Sequence, residues 1–149
     1  MIKESIERIQ THENTRIQPG EPYRIPDAAS VGDGVPQGDL YIMLAGEIPD
    51  GCKLVESPTD LDRQLVPGNT TGSKHCLRSL STVDLYWPEG WSHSLDYEGL
   101  AGPAMICKEA TTIDHPTHGA VTIPAGSTVV TGYQRVYDEE LKRERRAAD

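Results

Sequence analysis

The stretch His115-Pro116-Thr117-His118-Gly119-Ala120-Val121-Thr122-Ile123-Pro124-Ala125-Gly126 decides how the rest of the chain is read. A turn-prone His-Pro-Thr-His segment and a glycine lead into a run in which Val121 and Ile123 flank Thr122, and Pro124-Ala125-Gly126 closes it. Alternation with a period of two is the signature of a strand, and proline and glycine end the run too soon for a helix. Working outward, the same grammar recurs. Asp39–Leu44 stops at Gly46 and the Pro49-Asp50-Gly51 turn, and Cys52–Glu56 alternates after it. Leu61–Val66 reads as a strand or a single helical turn. His75–Leu80, Val83–Trp87, Ala104–Lys108, Ala110–Ile113 and Thr128–Tyr137 complete the set, with Pro88-Glu89-Gly90 turning the chain between two of them. Short strands at this spacing predict an all-β domain, either a small β-barrel or a β-sandwich.

A chain of 149 residues is one domain, with or without an arm. It has no phenylalanine, and its 14 glycines and 11 prolines favour turns over a helical bundle, so the core must come from Leu, Ile, Val, Tyr and two tryptophans. Residues 1–37 read as an N-terminal arm or extended lead-in. Ile2, Ile6 and Ile9 give it a short amphipathic helix, and Pro19, Gly20, Pro22, Pro26, Gly32, Gly34 and Pro36 break it further on. Residues 38–137 form the β domain. Residues 138–149 predict a short C-terminal helix, with Asp138 as its N-cap and acids ahead of basics along the macrodipole.

The net charge of −9 excludes a general nucleic-acid binder, since phosphate contacts need clustered cations and Lys142–Arg146 is interleaved with acid. No apolar run reaches the roughly 18 residues of a membrane span, and the charged start resembles no secretory leader. Three cysteines, Cys52, Cys76 and Cys107, are an odd and widely spaced set without a CxxC pair. They predict reduced, buried thiols in a cytoplasmic setting rather than a disulfide framework.

The chemistry-bearing residues are the histidines. His115 and His118 precede a strand, and His75 follows the glycine-rich Gly68–Lys74 loop. Strands that point alternate residues inward can bring three imidazoles together at one mouth, where His75, His115 and His118 would hold a divalent metal (zinc, iron, manganese or nickel). Asp114 and Glu109 are the carboxylates at hand. The competing reading makes Pro116-Thr117 a tight turn in which His115 merely caps backbone carbonyls. His12 and His93 are expected in solvent. Gly68–Lys74 fails as a phosphate loop, because its glycine–lysine spacing differs and no helix follows. A Cys76–His75 dyad is disfavoured, since adjacent strand residues point to opposite faces. Trp87-Pro88-Glu89-Gly90-Trp91, with Tyr86 and Tyr97, concentrates aromatics in a chain otherwise poor in them. Such a cluster either plugs the core or serves an interface.

The patterns Gly68-x-x-x-Gly72-x-x-His75, His115-x-x-His118-Gly119-x-x-x-Ile123-Pro124-Ala125-Gly126 and Tyr133-Gln134-Arg135-x-Tyr137-Asp138 resemble those of small uncharacterised proteins of phages and bacteria, from about Gly38 to Asp149. That resemblance implies no activity. The chain also resembles a degenerate cupin: His75 matches the second histidine of the first cupin motif, and Pro124 and Gly126 match the Pro-x-Gly turn of the second. Ser73 stands where the first histidine of the pair belongs, and no histidine follows the turn. Two functions follow. The first is a β-barrel protein holding a divalent metal through its histidines, with no assigned reaction. The second is a structural or interaction protein of an oligomeric assembly, such as an accessory component of a phage particle, associating with copies of itself through the N-terminal arm.

Overall fold

The computed structural model describes residues 21–68, 74–138 and 143–146, the last two strands by their backbone only. Ten strands build two facing sheets: β1 (Tyr23–Arg24), β2 (Gly34–Gln37), β3 (Leu40–Ala45), β4 (Lys53–Leu54), β5 (Cys76–Leu77), β6 (Val83–Trp87), β7 (Ala101–Cys107), β8 (Thr111–Asp114), β9 (Val121–Ile123) and β10 (Thr128–Tyr133). The larger sheet runs β2-β3-β10-β7-β6-β4 and the smaller β1-β9-β8-β5. Neither closes on itself, so of the two architectures that alternation allows, the chain takes the sandwich.

The reason lies in where the apolar positions fall. In β3, Leu40, Ile42 and Leu44 are buried while the residues between them are half-exposed. Val83 and Leu85 of β6 and Val129 of β10 turn the same way, toward Ile113 of β8 and Val121 and Ile123 of β9. Two sheets with one apolar face each bury that face by stacking. β10 is central, pairing antiparallel with β3 on one side and β7 on the other, with a bulge against β7 between Val130 and Gly132. Pro124-Ala125-Gly126 is the turn between β9 and β10, with Gly126 at φ 85.

Both ends of the chain differ from the sequence reading. The folded part begins before Gly38: β1 pairs parallel with β9, β2 pairs antiparallel with β3, and Ile25 and Val35 lie in the core. Prolines in this segment do not prevent pairing, because β1 and β2 are edge strands, where a missing N–H is tolerated. The amphipathic helix expected from Ile2, Ile6 and Ile9 lies outside the described residues. The C-terminal helix expected over 138–149 is not formed at residues 143–146. Instead β12 (Arg143–Arg146) pairs antiparallel with β11 (Arg135–Asp138) as a separate ribbon. A helix of about a dozen residues is marginal in water on its own, and an adjacent strand supplies backbone partners that propensity cannot. Leu61–Val66 opens with a 3-10 turn (Asp60–Arg63) and then bridges to Cys76 through Gln64. No helix among the described residues is long and apolar enough to cross a membrane.

Candidate functional site

The β2–β3 hairpin starts the histidine cluster. Gly38, at φ 58, lets Gln37 and Leu40 pair across a two-residue loop, so Gln37 precedes one tight turn and Asp39 lies in it. Both side chains are buried and both reach the fully buried His75 of the opposite sheet. His75 Nδ1 lies 2.8 Å from Gln37 Oε1, and Nε2 lies 3.1 Å from Asp39 Oδ1. The amide of Gln37 is oriented by its other end, which donates to the carbonyls of Ile113 (2.9 Å) and Gly119 (3.0 Å). Its oxygen is then left to accept from Nδ1–H. These contacts tie the two sheets together at one end of the sandwich.

The His-Pro-Thr-His segment sits on this polar knot. The ring of His115 lies 4.4 Å from that of His75 and 4.6 Å from that of His118, centroid to centroid, tilted by 49° and 45°. The structure thus brings together the three histidines singled out by sequence. Their rings follow one another in a tilted row, His115 between the other two. His115 Nδ1 accepts from the backbone N–H groups of Thr117 and His118, each at 3.1 Å. It caps the turn as the competing reading held, though through amides rather than carbonyls. Among the described residues, no group of three or more His, Cys, Asp or Glu is placed to hold a metal ion. Asp114 is bound to Arg78 on the surface, at 2.7 and 3.0 Å. Gly119 is obligatory here, since a Cβ would overlap the backbone of Glu21, which passes directly over it.

Nucleophilic chemistry finds no support at the thiols. Burial pushes Cys52, Cys76 and Cys107 above the ordinary thiol range, which disfavours the reactive thiolate. Of the three, Cys107 alone is fully buried.

A second cluster surrounds the tryptophans. Trp91 is buried and donates from Nε1 to the Tyr133 hydroxyl at 2.9 Å, which in turn donates to the Leu65 carbonyl at 2.7 Å. The Trp87 ring lies 5.2 Å from that of Trp91, and His93 sets its edge against both, at 5.8 and 4.8 Å. His93 is therefore not the solvent-exposed residue expected from its polar surroundings. Its Nε2 pairs with Asp62 Oδ1 at 2.8 Å. Burial alone would raise the Asp62 carboxyl, but the Thr59 N–H and His93 together hold it below the usual carboxylate range. Outside this cluster, Lys53, Leu54, Val55 and Glu56 face Trp87-Pro88-Glu89-Gly90-Trp91 across an open cleft of about 480 Å³.

Gln37, Asp39 and Asp62 were not marked by any local pattern. The one available sign was an Asp or Gln beside a turn glycine, a signal shared by most hairpins. Residues 69–73 of the glycine-rich loop lie outside the described residues.

Residues 36–132 match a family model described as a domain of unknown function, DUF8820. The chain belongs to that family. The matched span runs from β2 to β10, so the Gln37–Asp39–His75 knot, the histidine row and the tryptophan cleft all lie within the DUF8820 domain, while β1 and the β11–β12 ribbon lie outside it. No curated protein and no solved structure matches the chain.

Proposed function

We propose that this DUF8820 protein is an interaction protein, acting as a component of an oligomeric assembly rather than through covalent chemistry. The observation that carries this reading is that all eight buried polar side chains among the described residues, Asp33, Gln37, Asp39, Asp62, Gln64, His75, Thr111 and Thr131, are hydrogen-bonded within the domain. Groups held this way build a rigid scaffold, whereas a catalytic constellation keeps an acid, base or nucleophile turned toward a substrate. An accessory component of a phage particle is its specific form. Sedimentation of the full chain beside one lacking residues 1–20 tests it. The full chain self-associates with concentration, and the shortened chain keeps its melting temperature but sediments as a monomer. A full chain that stays monomeric into the ~100 μM range, the regime of weak association, overturns it.

A second reading, a divalent metal at the histidines, is favoured by the close row of His75, His115 and His118 rings. Elemental mass spectrometry of untagged protein beside a His115→Ala/His118→Ala variant decides it. Near-stoichiometric zinc, iron, manganese or nickel in the parent, lost in the variant, supports a metal; a metal-free parent whose melting temperature ignores added divalent ions ends it.

A further inference from the structure

The cleft beside β4 has the parts of a peptide-docking edge. Among the described residues, strand β4 is the last strand of the six-stranded sheet and pairs with β6 alone, in the register Lys53↔Trp87 and Leu54↔Tyr86. The next residue, Val55, donates from its N–H to the Leu85 carbonyl at 2.8 Å. In an antiparallel ladder, alternate residues turn their polar groups to the same side. Val55 and Lys53 therefore face β6, and Leu54 turns its N–H and C=O to the open edge. Leu54 is 49% exposed beside a backbone edge that is unpaired among the described residues. Such an edge is a template for another strand.

The side chains around the edge set what that strand carries. Cross-strand partners share a face, so Lys53, Val55 and Trp87 lie on the inner side of the edge, where Trp91 completes the wall. Trp87 Nε1 is buried without a hydrogen-bond partner among the described residues. Two indoles and two acidic residues, Glu56 and Glu89, line the cleft against the single cation of Lys53, a lining that favours positive charge. Tryptophan is the best aromatic partner for a guanidinium or ammonium group. The chain's net charge of −9 adds long-range attraction in the same sense.

We propose that β4 and the Trp87–Trp91 cleft bind an extended peptide segment of a partner protein, which adds as a seventh strand and places an arginine or lysine between the indoles and the two glutamates. The ladder at so short an edge supplies few hydrogen bonds, so the cleft side chain carries the selectivity. The proposal rests on the interaction-protein reading, but it concerns a different part of the chain from residues 1–20.

The test uses the two tryptophans, both of which line this cleft and are the only ones in the chain. Their emission is followed while the full chain is titrated with an acetylated, amidated peptide, Ser-Val-Thr-Arg-Thr-Val-Ser, and with the same peptide carrying glutamate in place of arginine. The expected result is a saturable change with the arginine peptide and binding weaker by about threefold to tenfold for the glutamate peptide. Glu56→Gln/Glu89→Gln brings the two affinities together without changing the melting temperature. Leu54→Pro, which removes the outward N–H of an edge strand together with the half-exposed leucine side chain, weakens both peptides by about fivefold at an unchanged melting temperature. No saturable change up to ~1 mM peptide, the weak end of specific binding, overturns the proposal, as does equal affinity for the two peptides or full binding by Leu54→Pro. Self-association of the full chain alongside a failed titration would overturn this proposal alone; a monomeric chain that binds the arginine peptide would overturn assembly alone.

Discussion

Replacing Gln37 with alanine should be among the most damaging single changes in this domain. The residue is 2% exposed and makes three hydrogen bonds, donating to Ile113 O and Gly119 O and accepting from His75 Nδ1. Alanine removes one side chain and strands three partners, one on β8, one on the loop after it and one on a fully buried ring. Each orphaned buried group costs about 1–3 kcal/mol, and water entering the vacated space recovers part of the sum. The expected loss is about 3–5 kcal/mol, a large share of the roughly 5–15 kcal/mol that such domains have in total. Urea unfolding followed by tryptophan emission would read this as a midpoint lowered by roughly 2 M, with m about 2 kcal/mol/M. Gln37→Glu separates the contributions. It keeps an acceptor for His75 but offers no donor to the two carbonyls, so it too should fall well below the parent. Arg24→Ala is the control: its pair with Asp27 is 54% and 80% exposed, and its loss should cost no more than about 0.5 kcal/mol. A Gln37→Ala protein within about 1 kcal/mol of the parent would refute the argument that this side chain joins the two sheets.

Gly119→Ala should destabilise by about 2–3 kcal/mol, because the new Cβ meets the Glu21 backbone, whereas Gly46→Ala, with nothing near its Cβ position, should be nearly neutral in the same thermal melt. Asp62, whose carboxyl is held below its ordinary range, contributes stability that is fully present above the unfolded value of about 4 and is lost as the pH falls through its lower folded value. Asp62→Asn should therefore be less stable than the parent at neutral pH, with the gap narrowing below about pH 4; a constant gap across an acid titration of the urea midpoint would exclude the His93 and Thr59 contacts as its cause.

Strand by strand, the alternation in the sequence was enough to find Leu40–Leu44, Val83–Trp87 and Val121–Ile123, because a side-chain period of two is a property of the local backbone. The nearness of His75, His115 and His118 followed from their placement at strand starts. What they do there did not follow. The partners of His75 come from a hairpin 36 and 38 residues away, and nothing in the spacing of Gln37 or Asp39 announces that role. His93 was misjudged for a similar reason: its sequence neighbours are polar, but Trp87, Trp91 and Asp62 enclose it in space.

The terminal segments mark the same division. Periodicity, composition and charge are local or additive quantities, and they determined an all-β domain with a small core, an acidic surface and an aromatic turn near Trp87–Trp91. Pairing is not local. Whether residues 21–37 hang as an arm or join both sheets, whether Arg143–Arg146 coils or extends, whether the sheets close or stack, and whether three imidazoles converge or lie in a row all depend on which backbone and side-chain partners meet across long loops. A strand gains its hydrogen bonds only from another strand, and a buried ring gains its partners only from the far side of the core, so those outcomes were left to the tertiary structure.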